Sequence, residues 1–149
     1  MQWIDYSNAH FTDCLGIVES VVPQYVAPEE IKDFTGFLEK FAEWGCRYGV
    51  VAVDGQIIAC GGLGIEGSKA TLCWGLVHAQ WHRRRVGSFM LEERLKWAQA
   101  MPEVERVELT TSQHTYGFFE GFGFETTGIR KEHYSAYLDG YSMVKRRPF

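Results

Sequence analysis

No stretch of this 149-residue chain approaches the roughly eighteen uninterrupted apolar residues of a membrane-spanning helix. The opening residues, Met1-Gln2-Trp3-Ile4-Asp5, have neither a basic region nor an apolar core, so no secretory leader is expected and the expected location is the cytoplasm. The four cysteines, Cys14, Cys46, Cys60 and Cys73, lie 13 to 32 residues apart and never form a Cys-x-x-Cys pair. In an intracellular chain they read as reduced core residues rather than disulfides or zinc ligands. Of the five histidines only His78 and His82 share a ligand-like spacing, and the turn expected between them breaks it, so no metal is expected. The net charge of −4 leaves no general basic surface. That argues against nucleic acid or a membrane as partner, because both are anionic.

There is ample material for a core: hydrophobic residues make up 46% of the chain and aromatics 15%. Without repeat, linker or low-complexity segment, residues 1–149 are read as a single domain. Gln2 to Tyr6 suits a short strand. Phe11, Leu15, Val18 and Val22 recur at helical spacing from Asn8 to about Val21, and Pro23 stops that helix. Pro28, Glu29 and Glu30 open a second helix whose apolar face is Ile31, Phe34, Leu38 and Phe41, ending near Gly45. Cys46 to Val53 and Gln56 to Ile65 are strands joined by Asp54-Gly55, a strong hairpin signal. Gly61, Gly62 and Gly64 suggest a bulge or bend in the second of them. Ala70 to Val77 is a third antiparallel strand, followed by a basic turn and a helix to Ala100. A strand from Val104 to Thr111, a short helix capped by Ser112 and two closing strands, Phe124 to Ile129 and Tyr141 to Arg146, complete the chain. The residues from Arg130 to Gly140 read as a polar loop. The order β-α-α-β-β-β-α-β-α-β-β describes a mixed α/β, or α+β, domain.

The turn Trp81-His82-Arg83-Arg84-Arg85-Val86-Gly87-Ser88 is the point around which this order is organised. A helix following a short turn begins with backbone N–H groups that have no intrahelical partner, and its dipole places partial positive charge there. Both features attract anions. Three arginines in what is read as the first helical turn add forked donors suited to phosphate, and Gly87 would let a ligand approach the backbone. A solvated charged face is the alternative reading. Cations are disfavoured at a helix N-terminus, however, and an incoming polyanion removes that conflict. A phosphorylated cofactor is therefore expected here.

At this point the chain resembles the GNAT superfamily of N-acetyltransferases. Members carry a turn of the form Gln/Arg-x-x-Gly-x-Gly/Ala after their fourth strand. His82, Arg85 and Gly87 occupy its three defined positions, and only Gly87 matches. A second pattern, Asn-x-x-Ala-x-x-Phe-Tyr-x-x-x-Gly-Phe, is matched by Ser112 to Phe124 in its Phe118-Phe119 and Gly123-Phe124 spacing, with Ser112 and Thr115 replacing Asn and Ala. The resemblance implies a central, mostly antiparallel twisted sheet of seven strands flanked by four helices, matching the element order read above. It implies an acetyl-CoA-dependent transferase in which an amine attacks the thioester directly in a ternary complex. It places coenzyme A on Leu76, Val77, His82, Arg83, Arg84, Arg85, Val86, Gly87, Ser88, Ser112 and Phe119. The pantetheine arm would pair with the strand ending at Leu76-Val77, and the acyl group would lie where the fourth and fifth strands splay apart.

In many relatives the proton donor to the leaving thiolate is the Tyr of the Phe-Tyr pair, and here that residue is Phe119. Tyr116, one helical turn earlier, is the substitute candidate, with His114 a weaker one. The base candidate is His78, directly after the strand expected to flank the thioester; the backbone N–H of Val77 is the expected oxyanion donor. Trp3, Tyr25, Phe34, Phe37, Trp74, Tyr134 and Tyr137 are the aromatics available to an acceptor pocket. The acceptor is read as a small-molecule or peptide amine, and a homodimer is compatible with the pattern. The competing reading is a non-catalytic acyl-CoA-binding or regulatory module. A Rossmann-type dinucleotide site fits poorly, because the basic turn follows a hairpin-built sheet.

Overall fold

Asp54 and Gly55 both adopt positive φ, 48° and 80°, the primed-turn geometry that closes a two-residue hairpin. They join Cys46–Val53 (β2) to Gln56–Glu66 (β3). The remaining strands are Gln2–Asp5 (β1), Lys69–Val77 (β4), Arg106–Thr111 (β5), Glu125–Ser135 (β6) and Leu138–Arg146 (β7). The helices are Phe11–Ser20 (α1), Glu30–Lys40 (α2), Val86–Gln99 (α3) and Tyr116–Glu120 (α4). The structure, a computed structural model, describes all residues from Met1 to Phe149. The strands make one sheet in the order β1-β2-β3-β4-β5-β7-β6. Every neighbouring pair is antiparallel except β4 and β5. No helix is long and apolar enough to cross a membrane.

Successive strand residues face opposite sides of a sheet, and the cores follow that alternation. Tyr48, Val50 and Cys60 pack in one cluster with Ile17 and Val18 of α1 and Phe34 and Leu38 of α2. Their strand neighbours Val51 and Ala59 pack with Val86 and Met90 of α3 on the other face. A third cluster gathers Leu91 and Leu95 of α3 against Val107, Leu109 and Met143.

The parallel pair β4–β5 is short, and this creates the cleft. The pairing runs only from Lys69↔Arg106 through Thr71↔Glu108. Beyond Thr71 the two strands part: β4 stays with β3, and β5 follows β7. A bulge in β4 turns it away. Cys73 pairs with Gly62 and Leu76 with Cys60, so Trp74 and Gly75 together oppose the single residue Gly61. Gly61 is therefore not itself the bulge but faces it, while Gly62 and Gly64 pair in register with Cys73 and Thr71. Trp74 has φ of 43°, uncommon for a large side chain, and the Tyr48 hydroxyl donates a 2.6 Å hydrogen bond to its carbonyl.

Residues 130 to 140 are not a loop but the tip of the β6–β7 hairpin. Most β6 side chains are exposed, so an edge strand polar on both faces lacks the alternation that marks a strand in sequence. Gln113 clasps the tip: its amide nitrogen donates to the Tyr137 carbonyl and its amide oxygen accepts from Asp139 N–H at 2.8 Å. The second helix stops at Lys40 and passes into a 3₁₀ turn, Phe41–Trp44, before Gly45 at φ of 72°. The arginines do not occupy the first turn of α3. A 3₁₀ turn, Ala79–Trp81, is followed by a loop in which Arg83 and Arg85 both take left-handed φ, 62° and 63°, and α3 begins at Val86.

Candidate active site

The loop between β4 and α3 presents an unbroken run of free donors. None of the six backbone N–H groups from Arg83 to Ser88 donates a hydrogen bond to the protein, and the first donor beyond them is Phe89 N–H, to Arg85 O at 3.1 Å. The left-handed residues explain this. Two left-handed residues separated by one turn the chain back on itself and leave its N–H groups pointing outward, making an anion-binding concavity. The dipole of the fourteen-residue α3 adds to it. Arg85 stands where relatives carry the first glycine of the turn, and it adopts the conformation that glycine takes at least cost.

This loop forms one wall of a cleft of about 800 Å³ between the parted strands. Leu76, Val77, His82, Arg83, Arg85, Val86, Gly87, Ser88, Ser112 and Phe119 line it, so nearly all the residues assigned to the cofactor are brought to one surface. Arg84 is not among the lining residues; its guanidinium lies 5.1 Å from the Trp81 ring centroid. His82 Nε2 pairs with the Val77 carbonyl at 2.8 Å, and its ring meets Tyr25 edge-on at 5.3 Å. In this chain the residue at the usual Gln/Arg position therefore ties the basic loop to the end of β4. His78 N–H donates to Ile58 O on β3. By strand alternation the Val77 N–H points the other way, into the cleft.

The two catalytic candidates from sequence lie elsewhere. Tyr116 stacks on Tyr141 with centroids 4.5 Å apart and does not line the cleft. His78 caps the 3₁₀ turn, its Nδ1 accepting from Gln80 N–H at 3.1 Å, and it too is outside the lining. His114 does line the cleft, as do Tyr25, Trp74 and Tyr134 among the aromatics considered. Phe34 and Phe37 are core residues, Trp3 packs on Trp97, and Tyr137 is 87% exposed at the hairpin tip.

Three titratable groups of the cleft carry no proton-transfer or ligand-charge role in the sequence reading: Tyr134, expected only as an acceptor-pocket aromatic, Glu30 and Arg94. Tyr134, from the residues read as a loop, reaches the cleft because the hairpin folds over it; burial, then the nearby Glu30 carboxylate, pushes its pKa up to about 12. Glu30, read only as a helix-dipole carboxylate, accepts from Ala27 N–H at 3.1 Å and faces the same cleft. Arg94 is 4% exposed, the one charged residue in the core. Its signal was present in the sequence: it falls on the buried face of α3 with Val86, Met90, Leu91, Leu95 and Ala98. Cys73 also lines the cleft, its thiol pushed up to about 12, first by burial.

Solved structures share this arrangement over nearly the whole chain. A ribosomal-protein-alanine N-acetyltransferase from Brucella melitensis superposes with a TM-score of 0.80 at 18% identity, covering 98% of this chain and 99% of that one. The ribosomal-protein-S18-alanine N-acetyltransferase of Escherichia coli gives a TM-score of 0.82 at 16% identity, covering 97% and 92%. An aminoglycoside 6′-N-acetyltransferase complexed with coenzyme A gives 0.79 at 11% identity over 100% of both chains. No curated protein matches the sequence significantly. At such identities these likenesses establish the fold alone. The family is established by the sequence itself: residues 15–124, from α1 through the basic turn to the Gly123-Phe124 pair, match the acetyltransferase (GNAT) family, and the chain belongs to it.

Proposed function

We propose that this protein transfers an acetyl group from acetyl-CoA to the amine of a small molecule or peptide, by direct attack in a ternary complex. The observation that carries the reading is the run of six free N–H groups from Arg83 to Ser88, set beside the exposed edge of β4 where β5 has parted from it. Those donors, with the Arg83 and Arg85 guanidinium groups, suit a diphosphate. The open edge of β4 at Leu76-Val77 suits an extended amide-bearing arm, which would add to the sheet as a strand does. When bound, acetyl-CoA supplies a thioester carbonyl for the amine to attack.

The chain's own groups then divide the work. The Val77 N–H is the donor turned toward developing negative charge on an oxygen in the cleft. The Val77 carbonyl, one peptide group further along the chain, is held by His82, which ties the end of β4 to the basic loop. Glu30 and His114 are the cleft groups able to take a proton from an ammonium acceptor. Such an acceptor, with a pKa of about 10.4, otherwise costs roughly 4 to 5 kcal/mol to deprotonate at neutral pH. Tyr134, neutral at that pH, takes the role of proton donor to the departing thiolate that sequence assigned to Tyr116. An N–C bond forms and the C–S bond breaks. The ammonium gives one proton to the base before attack, and sulfur takes the Tyr134 proton as it leaves. The second proton shed by nitrogen restores Tyr134, so one proton passes from the base to solvent.

Titration calorimetry with acetyl-CoA and 3′-dephospho-CoA, on wild type and Arg83→Ala/Arg85→Ala, tests the cradle. Micromolar binding weakened about tenfold or more by the double substitution supports it. Absence of binding overturns the reading. Release of free thiol with a panel of amines then separates an enzyme from a module that binds without turnover.

A further inference from the structure

We propose that the Arg94 guanidinium is a receptor for a carboxylate at the far end of the donor's acyl group, so that the cleft takes a dicarboxylic acyl-CoA such as malonyl- or succinyl-CoA in preference to a neutral one. The inference rests on the coenzyme A reading above and revises its donor: acetyl-CoA, whose acyl group offers a guanidinium nothing, becomes the weaker of the acyl donors the cleft accepts.

Arg94 is a buried charge without a counter-charge. The ion pairs of the chain are Asp5–Arg47, Glu93–Lys96, Glu108–Arg106 and Asp139–Lys131, and none involves Arg94. The titratable groups acting on it, Cys73, Tyr48 and Cys60, are two thiols and a phenol. Its hydrogen bonds are two long ones of 3.4 Å, Nε to Met90 O and Nη1 to Gly62 O, and Nη2 makes none. A guanidinium has five N–H donors, so most of this one's capacity is unused. Burial lowers its pKa to about 10, which leaves it protonated at neutral pH. An unpaired buried cation is among the costliest groups a core can hold. Methionine or leucine would continue the apolar face of α3 without that cost.

The fold keeps space for this side chain. A Cβ on Gly75 would stand 3.2 Å from Nη2, and one on Gly61 3.2 Å from Cζ, tighter than ordinary contact. The two glycines at the β4 bulge thus seat the guanidinium against the sheet, where it lines the cleft with Leu72 and Leu109. Its near neighbours Gly61, Gly62 and Gly75 place the guanidinium at the β4 bulge, next along the chain to Leu76-Val77. A carboxylate arriving there could accept two parallel N–H bonds, the geometry a guanidinium matches best.

Position and charge assign that carboxylate to the donor. Arg94 lies on α3, the helix whose N-terminus forms the phosphate cradle, and on α3's face of the sheet. The other wall of the cleft is built by Tyr25, Val26 and Glu30, from the α1–α2 side. A carboxylate there, Glu30, attracts an ammonium acceptor and repels an acidic one.

The experiment measures binding of CoA, butyryl-CoA, malonyl-CoA and succinyl-CoA to wild type, Arg94→Gln and Arg94→Lys. Wild type is expected to bind the better of the two dicarboxylic thioesters at least tenfold more tightly than butyryl-CoA. Arg94→Gln is expected to bring that ratio close to one, and Arg94→Lys to restore part of it. The wild-type ratio needs no variant, so a poorly folded substitution leaves the test intact. CoA binding without acyl discrimination in wild type, or a preference that survives Arg94→Gln, overturns the role of Arg94 alone. Failure of CoA and every thioester to bind overturns the coenzyme A reading, and the carboxylate receptor with it.

Discussion

The hydroxyl of Tyr48 donates to the carbonyl of Trp74, 2.6 Å away and twenty-six residues later, and so holds the one residue of β4 that leaves the extended region. Tyr48 is fully buried, 1% exposed, and its ring meets Phe34, Phe37 and Phe41. A residue of the α1–α2 core thereby fixes the bulge that opens the cleft. Removing the hydroxyl leaves a polar carbonyl without its partner, at a cost of about 1 to 3 kcal/mol. Tyr48→Phe is expected to lower the urea midpoint correspondingly with little change in slope. Acetyl-CoA affinity should fall as well, because the β4 edge is no longer held in one position. A variant with wild-type stability and affinity would show that the bulge holds itself.

The basic loop yields opposite expectations for neighbouring arginines. Arg85 has φ of 63°, where a side chain costs roughly 1 kcal/mol relative to glycine. Arg85→Gly should therefore stabilise the fold slightly while weakening acetyl-CoA binding, whereas Arg84→Ala should change affinity less, since Arg84 lies over Trp81 outside the cleft lining. Thermal unfolding and calorimetry on the two variants check this. Raising salt should weaken binding to wild type more than to Arg85→Gly.

What was legible in the sequence follows from which signals are local. Asp54-Gly55, Pro28 and the apolar stripes of α1 and α2 are set by their own neighbours, and those elements form where expected, within a few residues. The basic turn was legible as a candidate anion site, but the left-handed φ of Arg83 and Arg85 was not, because glycine is the usual sign of that geometry and is missing from both positions. The β6–β7 tip was invisible because an edge strand exposed on both faces has no period of two. Tyr116 and His78 were placed by spacing along the chain; stacking on Tyr141 and capping of a 3₁₀ turn are tertiary facts that no spacing encodes. Arg94 was visible as a charge on an apolar stripe. Only its missing counter-charge, a property of the packed structure, makes it informative.

Gln113 is the single side chain that pins the β6–β7 tip from the loop before α4, donating to Tyr137 O and accepting from Asp139 N–H. Tyr134 and Leu138, on either side of that turn, line the cleft. Gln113→Ala removes both bonds, at roughly 0.5 to 1.5 kcal/mol each. Amide exchange from Glu132 to Asp139 should accelerate, and KM for an acceptor amine should rise more than KM for acetyl-CoA. Equal changes in both would place the hairpin's influence on the donor.

Tyr134 carries a prediction in pH. Its pKa is pushed up to about 12 by burial and by the Glu30 carboxylate, against about 10 in an unfolded chain. Below pH 10 folded and unfolded forms both keep the proton, and stability is independent of this group. Between 10 and 12 the unfolded chain releases it while the folded chain retains it, so the folded state loses stability as pH rises through that window. Tyr6, also pushed up to about 12 by burial, adds a slope of the same sign. Tyr134→Phe should therefore flatten, without abolishing, the fall in urea midpoint between pH 9.5 and 11.5, values chosen to bracket about 10 and about 12. In turnover the same substitution should cut kcat about 10- to 100-fold at pH 7 to 8 with KM for acetyl-CoA little changed, as expected for a proton donor that stays neutral throughout. A Tyr134→Phe enzyme with undiminished kcat but the flattened alkaline slope would leave Tyr134 in the cleft wall and hand proton donation to solvent.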